Sequence, residues 1–556
     1  MARGVAGITL PAPMAARFLP PTVIAAVCLL PLWGLWLAAG PPMEEGFMLV
    51  FPERVLEGDL PNRDFLHLYG PGGLWVLAAV YAVLGVSLGV QRAVGFLQHL
   101  GLAFGTYALL RPWGPWVAGG GGAIAALIVI TPSGLSALAW IGGVAFALWF
   151  LNSGLLAVEA EPGSTRRNRL LAAAGLLAGA ALLYRLDLVL AVGLPGLVLL
   201  AGLDRSGRIR LLAWSAIGSS PYLIHLVTAG PSNVIRGMVI EPVFELRGGR
   251  KLPLPPSWDD YDGFLQRAGL LDEPPWPFWS PRGPVQLNLW LLGILLATAL
   301  LLWMGVVCLR RGDRRLLAIA ALATGLLPQA MQRADSTHLA WVSCVTFAVL
   351  PAALVELRRH WSGRVRPPSV PRALAALAVP LVATLVLLPD FTWRAYADSV
   401  GQTFGHRRNA DVMSHKGREF RYARPDAVDA VNAMLPRVEE ISQPGDRLFV
   451  GPGDLALTPY SEAFLYYLLP HLPPATRYIE MDPGVANAED SGLADELAAA
   501  DVVILSSIRD DWNEPNDSLE RGSEEPNRVL EEQFCLVESY GDGLFGRGLY
   551  ELYRRC

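Results

Sequence analysis

Two adjacent glutamates, Glu44 and Glu45, lie where a long apolar segment ends and a charged loop begins. The apolar segment is AARFLPPTVIAAVCLLPLWGLWLAAG (15–40), and Pro41-Pro42 follows it directly. Two neighbouring carboxylates disfavour each other's ionisation, so such a pair is usually balanced by a cation, a metal or a proton. A positioned carboxylate can also act as general base towards a hydroxyl group. This acid pair is therefore the first catalytic candidate, and two solvated loop acids are the alternative interpretation.

Three more ionisable residues, Arg63, Asp64 and His67, lie in the same loop, which covers 41–69. The stretch LYGPGG (68–73) then leads directly into another apolar segment. We expect these three residues to belong to a substrate-binding site together with the acid pair. A divalent metal held by the acid pair or by His67 is possible, although no ligand spacing in the sequence demands one.

A second group of charges, Arg185 and Asp187, interrupts the apolar stretch LLYRLDLVL (182–190). Ionisable side chains within membrane segments are energetically costly, and they are by default candidates for a functional site. We expect both residues to contribute to substrate binding. The alternative is a mutual ion pair that locks two helices together.

A third group lies in MQRADSTHLAW (331–341), where Arg333, Asp335 and His338 share a turn between two apolar segments. The planar guanidinium of arginine presents a fork of donors that suits phosphate. These residues are therefore candidates for binding a phosphorylated substrate. A polar turn at the membrane surface is the alternative.

The composition indicates what positions these groups. The 556 residues are 53% hydrophobic and only 17% charged, whereas soluble globular chains are about a quarter charged. Long apolar blocks alternate with short charged loops, which is typical of a polytopic α-helical membrane protein. The first apolar run exceeds the length of a signal-peptide core, so we interpret it as an uncleaved anchor. No basic stripe is interleaved with aromatic residues, so we expect no nucleic-acid partner.

Basic clusters between the apolar blocks predict the topology, because such clusters favour the cytoplasmic side. The four clusters are RRNR (166–169), DRSGRIR (204–210), RRGDRR (310–315) and RRHWSGRVR (358–366). They place loops 41–69 and 230–285, the turn 333–338 and everything after about residue 390 outside. Counts from the two ends disagree by one crossing, so either 70–110 or 170–203 crosses once less than its apolar blocks suggest. We therefore expect about 11 spans.

Composition also divides the chain into two regions. Residues 1–395 are predicted to form the membrane module, and 396–556 a soluble extracytoplasmic α/β domain. The predicted strands of this domain are DRLFVGPG (446–453), ATRYIEM (475–481), ADVVILSS (500–507) and a closing hairpin near the C-terminus. Alternation of these strands with helical stretches favours a largely parallel core. No phosphate-binding glycine motif follows the first strand, so nucleotide binding has no support.

The five cysteines divide between the two regions. Cys28, Cys308 and Cys344 lie in apolar segments, and we interpret them as small buried residues. Cys535 and Cys556 become near cross-strand partners if the closing hairpin is symmetric about its turn. They could form a disulfide in an oxidising compartment.

The order of these groups resembles the GT-C superfamily of integral-membrane glycosyltransferases, especially bacterial relatives of protein mannosyltransferases and the aminoarabinose transferase. The resemblance rests on EEGF (44–47), GDLPNRDFLHLYGPGG (58–73), the Arg-x-Asp at 185–187 and RADSTHL (333–339). It covers roughly residues 15–345. Each motif is short, so the evidence is their order along the chain.

The resemblance implies transfer of a sugar from a polyprenyl-phosphate carrier to a cell-envelope acceptor at the outer face of the plasma (inner) membrane. It implies that Glu44 or Glu45 is the general base or orients the acceptor hydroxyl. Many relatives have Asp-Glu or Asp alone at this place, so the sequence leaves open which glutamate is the base. The resemblance also makes Arg333 and His338 candidates for the carrier phosphate, with Arg185 a weaker one.

Two other classes of protein remain open from the sequence. A transporter or flippase for a lipid-linked sugar or small molecule also places charges in its spans, but it should contain internal repeats, which we do not find. A scaffold with a membrane anchor is the other alternative. A plain anchor has no need for Arg185 and Asp187 within an apolar segment, so we favour the glycosyltransferase.

Overall fold

The computed structural model describes residues 14–264, 266, 283–362, 375–379, 382, 390–406, 410–543 and 547–556. Up to residue 264 the α-helices are α1 (Met14–Leu29), α2 (Leu32–Leu37), α3 (Pro42–Glu57), α4 (Gly72–Leu84), α5 (Leu88–Leu110), α6 (Pro115–Ser133), α7 (Ala139–Glu159), α8 (Thr165–Tyr184), α9 (Val189–Gly202), α10 (Arg205–Ser219), α11 (Pro221–Ala229), α12 (Pro231–Ile235) and α13 (Leu246–Arg250). A π-helical segment, Arg236–Glu245, joins the last two. Helices α14 (Gly283–Arg310), α15 (Arg315–Gln332), α16 (Ser336–Ser362) and α17 (Asp390–Thr403) follow.

Five helical stretches are long and apolar enough to cross a membrane by length and composition. They are Pro20–Leu37, Leu88–Trp113, Ala139–Glu159, Gly283–Arg310 and Ser336–Ser362. Shorter apolar helices cover Gly72–Leu84, Pro115–Ile130 and Leu186–Gly202. The helical membrane architecture expected from the sequence is thus present, while the total of about 11 spans stays a prediction.

The predicted first loop, 41–69, contains a four-turn helix, α3. Pro42 is at the first helical position, where its missing N–H costs no hydrogen bond. The two glutamates occupy the first turn, where the helix dipole favours negative charge. Gly58 ends the helix in the left-handed conformation, with φ 104°. The sequence contains these helix signals, but the many charged residues of 41–69 favoured a loop instead of a helix.

The four basic clusters gather at one end of the helical region. Arg167 of the first cluster pairs with Asp204 of the second at 2.6 Å. Arg311 of the third contacts His360 of the fourth at 2.8 Å. Glu44, Arg185 and Arg333 lie at the opposite end, which we call the site face. This separation is what the predicted topology requires; the assignment of the site face to the outside stays a prediction.

Helix α4 bears on the missing crossing in the sequence-based count. Its start is at the site face, because a Cβ on Gly70 would lie 2.0 Å from the Leu183 carbonyl oxygen, next to Arg185. Its end is at the same face, because Leu88 belongs to the apolar cluster that contains Tyr467 of the C-terminal region. Thirteen helical residues extend about 20 Å, short of the ~30 Å hydrocarbon core. These features favour 70–110 over 170–203 as the segment with one crossing less, and the topology stays a prediction.

The C-terminal region forms a small α/β layer. Its strands are β1 (Asp411–His415), β2 (Arg418–Tyr422), β3 (Leu448–Pro452), β4 (Val502–Ser506), β5 (Phe534–Asp542) and β6 (Gly548–Arg555). The helices beside them are α18 (Pro425–Ile441), α19 (Phe464–Leu468), α20 (Leu493–Ala498) and α21 (Glu525–Gln533). Strands β1 and β2 form a hairpin, and the other four form a sheet of order β3-β4-β6-β5. Only β3 and β4 are parallel, so the expected parallel core is limited to that pair.

Most of the predicted strands are confirmed, but the one over 475–481 is wrong. Only the start of this segment pairs with a strand, where the Ala475 amide donates to the Leu448 carbonyl at 2.7 Å. The chain then turns away, and Met481 adopts φ 55°, a left-handed conformation that ends an extended run. The segment is buried because it packs below the helical region. Its run of apolar residues therefore resembles that of a buried strand, which is why the sequence predicted one here.

The closing hairpin carries the disulfide that the sequence allowed. Cys535 and Cys556 are bonded, with their Cα atoms 5.3 Å apart. The bond closes a loop of 21 residues between β5 and β6. The other three cysteines are buried and free, as expected.

Replacing both Cys535 and Cys556 by serine is expected to lower the free energy of unfolding of the C-terminal region by about 3 kcal/mol. Loss of the cross-link increases the conformational freedom of the unfolded chain. Thermal unfolding in detergent, with and without a reducing agent, measures the effect. Reductant should bring the wild type down to the double variant and leave that variant unchanged; an equal response of both proteins would contradict the prediction.

The C-terminal region contacts the helical region closely. Gly46 of α3 packs so near α19 that an added Cβ would lie 3.0 Å from the Phe464 nitrogen. Arg418 donates to both carboxylate oxygens of Glu53 at 2.8 and 2.6 Å. The Leu66 amide donates to the Arg477 carbonyl at 2.9 Å. The C-terminal region therefore covers the site face.

Candidate active site

Charged and tyrosine side chains from both regions meet on the site face. Helix α3 and the loop after it, the turn before α9, the end of α13 and the turn between α15 and α16 supply them from the helical region. The chain just before α19, the segment 478–482 and the loop after β4 supply them from the C-terminal region. We call this set the polar site, and its members are Glu44, Tyr69, Arg185, Asp187, Arg250, Arg333, Asp335, His338, Tyr460, Glu462, Glu480, Asp482, Arg509 and Glu514.

Glu44 is partly buried in the first turn of α3. Burial is the main cause that raises the pKa of this carboxyl; the positive charges of Arg509 and His338 oppose the increase, and Asp335 adds to it. Within the described residues Glu44 forms no ion pair. It therefore faces the polar site as a carboxylate that is available to bind or deprotonate a substrate.

Glu45 points the other way and is fully buried. Its two oxygens each accept a hydrogen bond of 2.8 Å from Arg92. The same guanidinium donates to the carbonyls of Leu35 and Trp36 at 3.2 and 2.6 Å. Gly40 leaves the space for this carboxylate, since a Cβ there would lie 2.3 Å from the Glu45 carboxyl carbon. Glu45 thus joins α3 to α2 and α5.

Arg92 was missed in the sequence, although a signal for it exists. It is an arginine within the apolar stretch that becomes α5, and such residues usually have a partner or a function. Its exposed fraction is 1%. The sequence does not indicate that this partner is Glu45, because 47 residues separate the two.

Arg63 and Asp64 lie at the edge of the loop. Arg63 is exposed, and its guanidinium donates to Asp64 at 2.9 and 2.7 Å. Asp64 also accepts from the Leu60 amide at 2.8 Å and so closes the turn that follows α3. The contact between the two lowers the pKa of Asp64. The structure does not bring these two residues into the polar site.

His67 is buried beneath the polar site rather than lining it. Its ring lies edge-on to Phe51 and Tyr69, with centroids 5.5 and 5.7 Å away. Burial is the main cause that lowers its pKa to about 3, so the ring is neutral at ordinary pH. Its position favours a packing role next to Tyr69.

Arg185 and Asp187 form an ion pair at the end of α8, with hydrogen bonds of 2.9 and 2.5 Å. Gln329 of α15 also donates to Asp187. The guanidinium of Arg185 lies over the ring of Tyr69, 4.0 Å from its centroid. The pair therefore does lock helices together, as the alternative interpretation held, and it also holds a cation at the edge of the polar site.

Arg333 lies at the centre of a buried charge network. It donates to Asp335 at 3.0 Å, to the Arg250 carbonyl at 3.0 Å and to Glu514 at 2.6 Å. Glu514 is fully buried and comes from the C-terminal region. Because one guanidinium binds the helical region and the C-terminal region together, its position is tightly defined.

Asp335, which binds Arg333, also binds His338. Its Nδ1 is 2.9 Å from an oxygen of Asp335, and its amide donates to that oxygen. Burial tends to raise the pKa of Asp335, but His338 and Arg333 outweigh it and lower that pKa to about 2. The side chain of His338 is 24% exposed, so its Nε2 is accessible to a ligand.

Three important members of the polar site were not expected from the sequence. Arg250 pairs with the buried Asp482 and lies over the ring of Tyr460, 5.5 Å from its centroid. Glu480 is buried, and burial is the main cause that raises its pKa to about 7, with Arg250 opposing and Glu44 adding to the increase. The signal was a pair of acids next to an apolar stretch: Glu480 lies within the predicted strand 475–481, and Asp482 directly follows it.

The described part of the chain contains no group of three or more His, Cys, Asp or Glu side chains that could hold a metal ion. The acid pair and His67 diverge, since Glu45 binds Arg92 and His67 packs between rings. A divalent metal therefore stays a prediction without a ligand set in the described residues.

Comparison with known proteins defines the fold. No protein-family model and no curated protein matches the sequence. The structure is similar to ArnT from Cupriavidus metallidurans bound to undecaprenyl phosphate, with 16% identity and a TM-score of 0.53 over 97% of this chain and 98% of that one. ArnT and the oligosaccharyltransferase AglB, described next, are GT-C glycosyltransferases.

The structure is also similar to the oligosaccharyltransferase of Archaeoglobus fulgidus. Its apo form matches with 13% identity and a TM-score of 0.51 over 96% of this chain and 75% of that one. The oligosaccharyltransferase AglB from Archaeoglobus fulgidus, in complex with an inhibitory peptide and a dolichol-phosphate, matches with 13% identity and a TM-score of 0.50 over 90% of this chain and 70% of that one. The chain therefore has the GT-C fold, and the resemblance seen in the sequence is confirmed at that level.

Proposed function

We propose that this protein is an integral-membrane glycosyltransferase that moves a sugar from a polyprenyl-phosphate carrier to a hydroxyl group of a cell-envelope acceptor. The observation that carries the proposal is the unpaired carboxylate of Glu44, which shares the polar site with Arg333 and feels the positive charges of Arg509 and His338. A base on one side of a site and cations on the other are what sugar transfer from a phosphate requires. The polyprenyl phosphates bound by the similar ArnT and AglB structures support this class of donor.

In this mechanism Glu44 accepts the proton of the acceptor hydroxyl as its oxygen attacks the anomeric carbon of the sugar. The bond from that carbon to the phosphate oxygen breaks, and the carrier leaves with the electron pair. Arg333, Arg250 and His338 stabilise the charge that develops on the phosphate. Because the carboxylates beside these arginines fix their side chains, little reorganisation accompanies the reaction.

The proposed setting is the plasma (inner) membrane, with the site face and the C-terminal region outside. Gathering of the basic clusters at the opposite end supports this orientation. The C-terminal region then contributes to the site itself, since Glu514 holds Arg333 and Asp482 holds Arg250.

The test is transfer of radiolabelled sugar by purified protein from a panel of polyprenyl-phosphate donors to a cell-envelope extract. We expect label in the acceptor fraction with one or a few donors. In parallel, vesicles that contain the protein are assayed for movement of each donor across the bilayer. Movement without transfer would favour the transporter alternative and contradict the proposal.

The rate of transfer is expected to fall as the pH decreases through the raised pKa of Glu44. Burial raises this pKa, so protonation of the base begins at a higher pH than for an exposed glutamate, and only the ionised form accepts a proton. The measurement is the pH dependence of kcat/KM. His338 and Asp335 face Glu44, so the same profile is measured for His338→Gln. An unchanged acidic limb in that variant would support Glu44 as its source, and loss of the limb would contradict the prediction.

A further inference from the structure

A cavity of about 410 Å³ lies beside the polar site. One wall is the π-helical segment Arg236–Glu245, and the other is the chain around Tyr478 and the loop 484–491. Its size is within the range of small-molecule sites, roughly 300–1,000 Å³. Nothing in the proposed mechanism uses this cavity.

Two residues that line this cavity each have a buried polar atom with no hydrogen-bond partner among the described residues: Oε2 of Glu241 and Nε of Arg477. Glu241 is 2% exposed. Its other oxygen accepts from Arg236 at 3.1 Å and is 3.9 Å from Nη2 of Arg477. Leaving a buried donor or acceptor unsatisfied costs about 1–3 kcal/mol. A ligand that satisfies both groups is therefore favoured.

The two groups define the chemistry of such a ligand. One is an acceptor and the other a donor, and a hydroxyl group can donate to the first and accept from the second. Arg236 and Arg477 are balanced by Glu241, Glu245 and Asp490, so the cavity has no excess of positive charge to attract an anion. These properties fit a neutral molecule with several hydroxyl groups, such as a sugar.

The cavity adjoins the polar site along both walls. Tyr478 is two residues from Glu480, a distance of about 7 Å in extended chain. Glu245 is five residues from Arg250, or about 7.5 Å along a helix. A molecule bound in the cavity can therefore extend towards Glu44.

We infer that this cavity binds a neutral sugar residue of the acceptor and so presents the acceptor hydroxyl to Glu44. The inference rests on the proposed function, and it adds that the acceptor is a glycan or glycolipid. Glu241 and Arg477 are the specificity residues of this site, while Glu44 acts on the hydroxyl group some distance away.

The test is direct binding of a panel of methyl glycosides to the full chain in nanodiscs, without any donor. The panel contains hexopyranosides, pentofuranosides and an N-acetylhexosaminide. Glu241→Gln and Arg477→Gln remove the charged partners, and Ala488→Trp fills the cavity without removing them. Arg521→Gln, which breaks an exposed ion pair with Asp454, is the matched control. Thermal unfolding of each variant verifies the fold.

We expect saturable binding of at least one glycoside, weakened about tenfold or more by the two glutamine variants and lost in Ala488→Trp. Arg521→Gln should bind as the wild type does. Binding of no glycoside by the wild type, or equal binding by folded Ala488→Trp, would overturn the inference. Saturable binding by a protein that transfers from no donor would instead overturn the proposed function and leave the sugar site standing.

Discussion

Glu44→Gln is expected to reduce sugar transfer by about 10²–10⁴-fold. The amide has nearly the size of the carboxylate but cannot accept a proton from the acceptor hydroxyl. Since Glu44 forms no ion pair with the described residues, the free energy of unfolding should stay close to that of the wild type. Transfer of radiolabelled sugar at saturating donor, with thermal unfolding of the same preparation, measures both quantities.

Glu57→Gln is the matched control for this variant. Glu57 is exposed on the same helix, in the last turn of α3, so the same chemical change there should leave transfer unaltered. Donor binding is measured separately for both variants, because a base acts on the reaction and not on carrier affinity. Undiminished transfer by folded Glu44→Gln would exclude the role of Glu44 as base.

Glu45→Gln is expected to act on stability instead, and to lower the free energy of unfolding by about 3–5 kcal/mol. The substitution leaves the guanidinium of Arg92, which is 1% exposed, without its bidentate partner. Thermal unfolding and the yield of folded protein measure the effect. The protein that does fold should transfer sugar at a rate per molecule much closer to the wild type than that of Glu44→Gln.

A double variant distinguishes the ion pair from a general sensitivity of this position. Glu45→Leu with Arg92→Met replaces both charges by apolar side chains and should recover a large part of the lost stability. Recovery should be incomplete, because the carbonyls of Leu35 and Trp36 lose their donor. Wild-type stability in Glu45→Gln together with complete loss of transfer would instead make Glu45 the base.

The different surroundings of these two neighbouring glutamates also explain why the sequence alone left the identity of the base open. Successive residues of a helix point about 100° apart, so Glu44 and Glu45 had to face different surroundings once α3 formed. The packing of α5, which carries Arg92, determined which of the two glutamates meets a buried arginine. An ion pair between distant segments leaves no spacing pattern in the sequence.

The sequence by itself determined the features that depend on local composition and periodicity. Long apolar blocks indicated a helical membrane protein, and the basic clusters predicted one common end for four loops. Apolar runs located β3, β4 and the hairpin that brings Cys535 to Cys556. The order of the acid pair, the Arg-x-Asp and the Arg333 turn resembled that of the GT-C superfamily, and the structure places these groups at helix ends on one face.

Only the tertiary structure decided which charges meet. Glu480, Asp482 and Glu514 reach the polar site from the C-terminal region, and Arg250 reaches it from the end of α13. Arg63 and Asp64, which share the predicted loop 41–69 with the acid pair, pair with each other at the edge of that loop. The physical reason is that a buried charge needs a partner in space, and packing of helices against the C-terminal sheet, rather than distance along the chain, selects that partner.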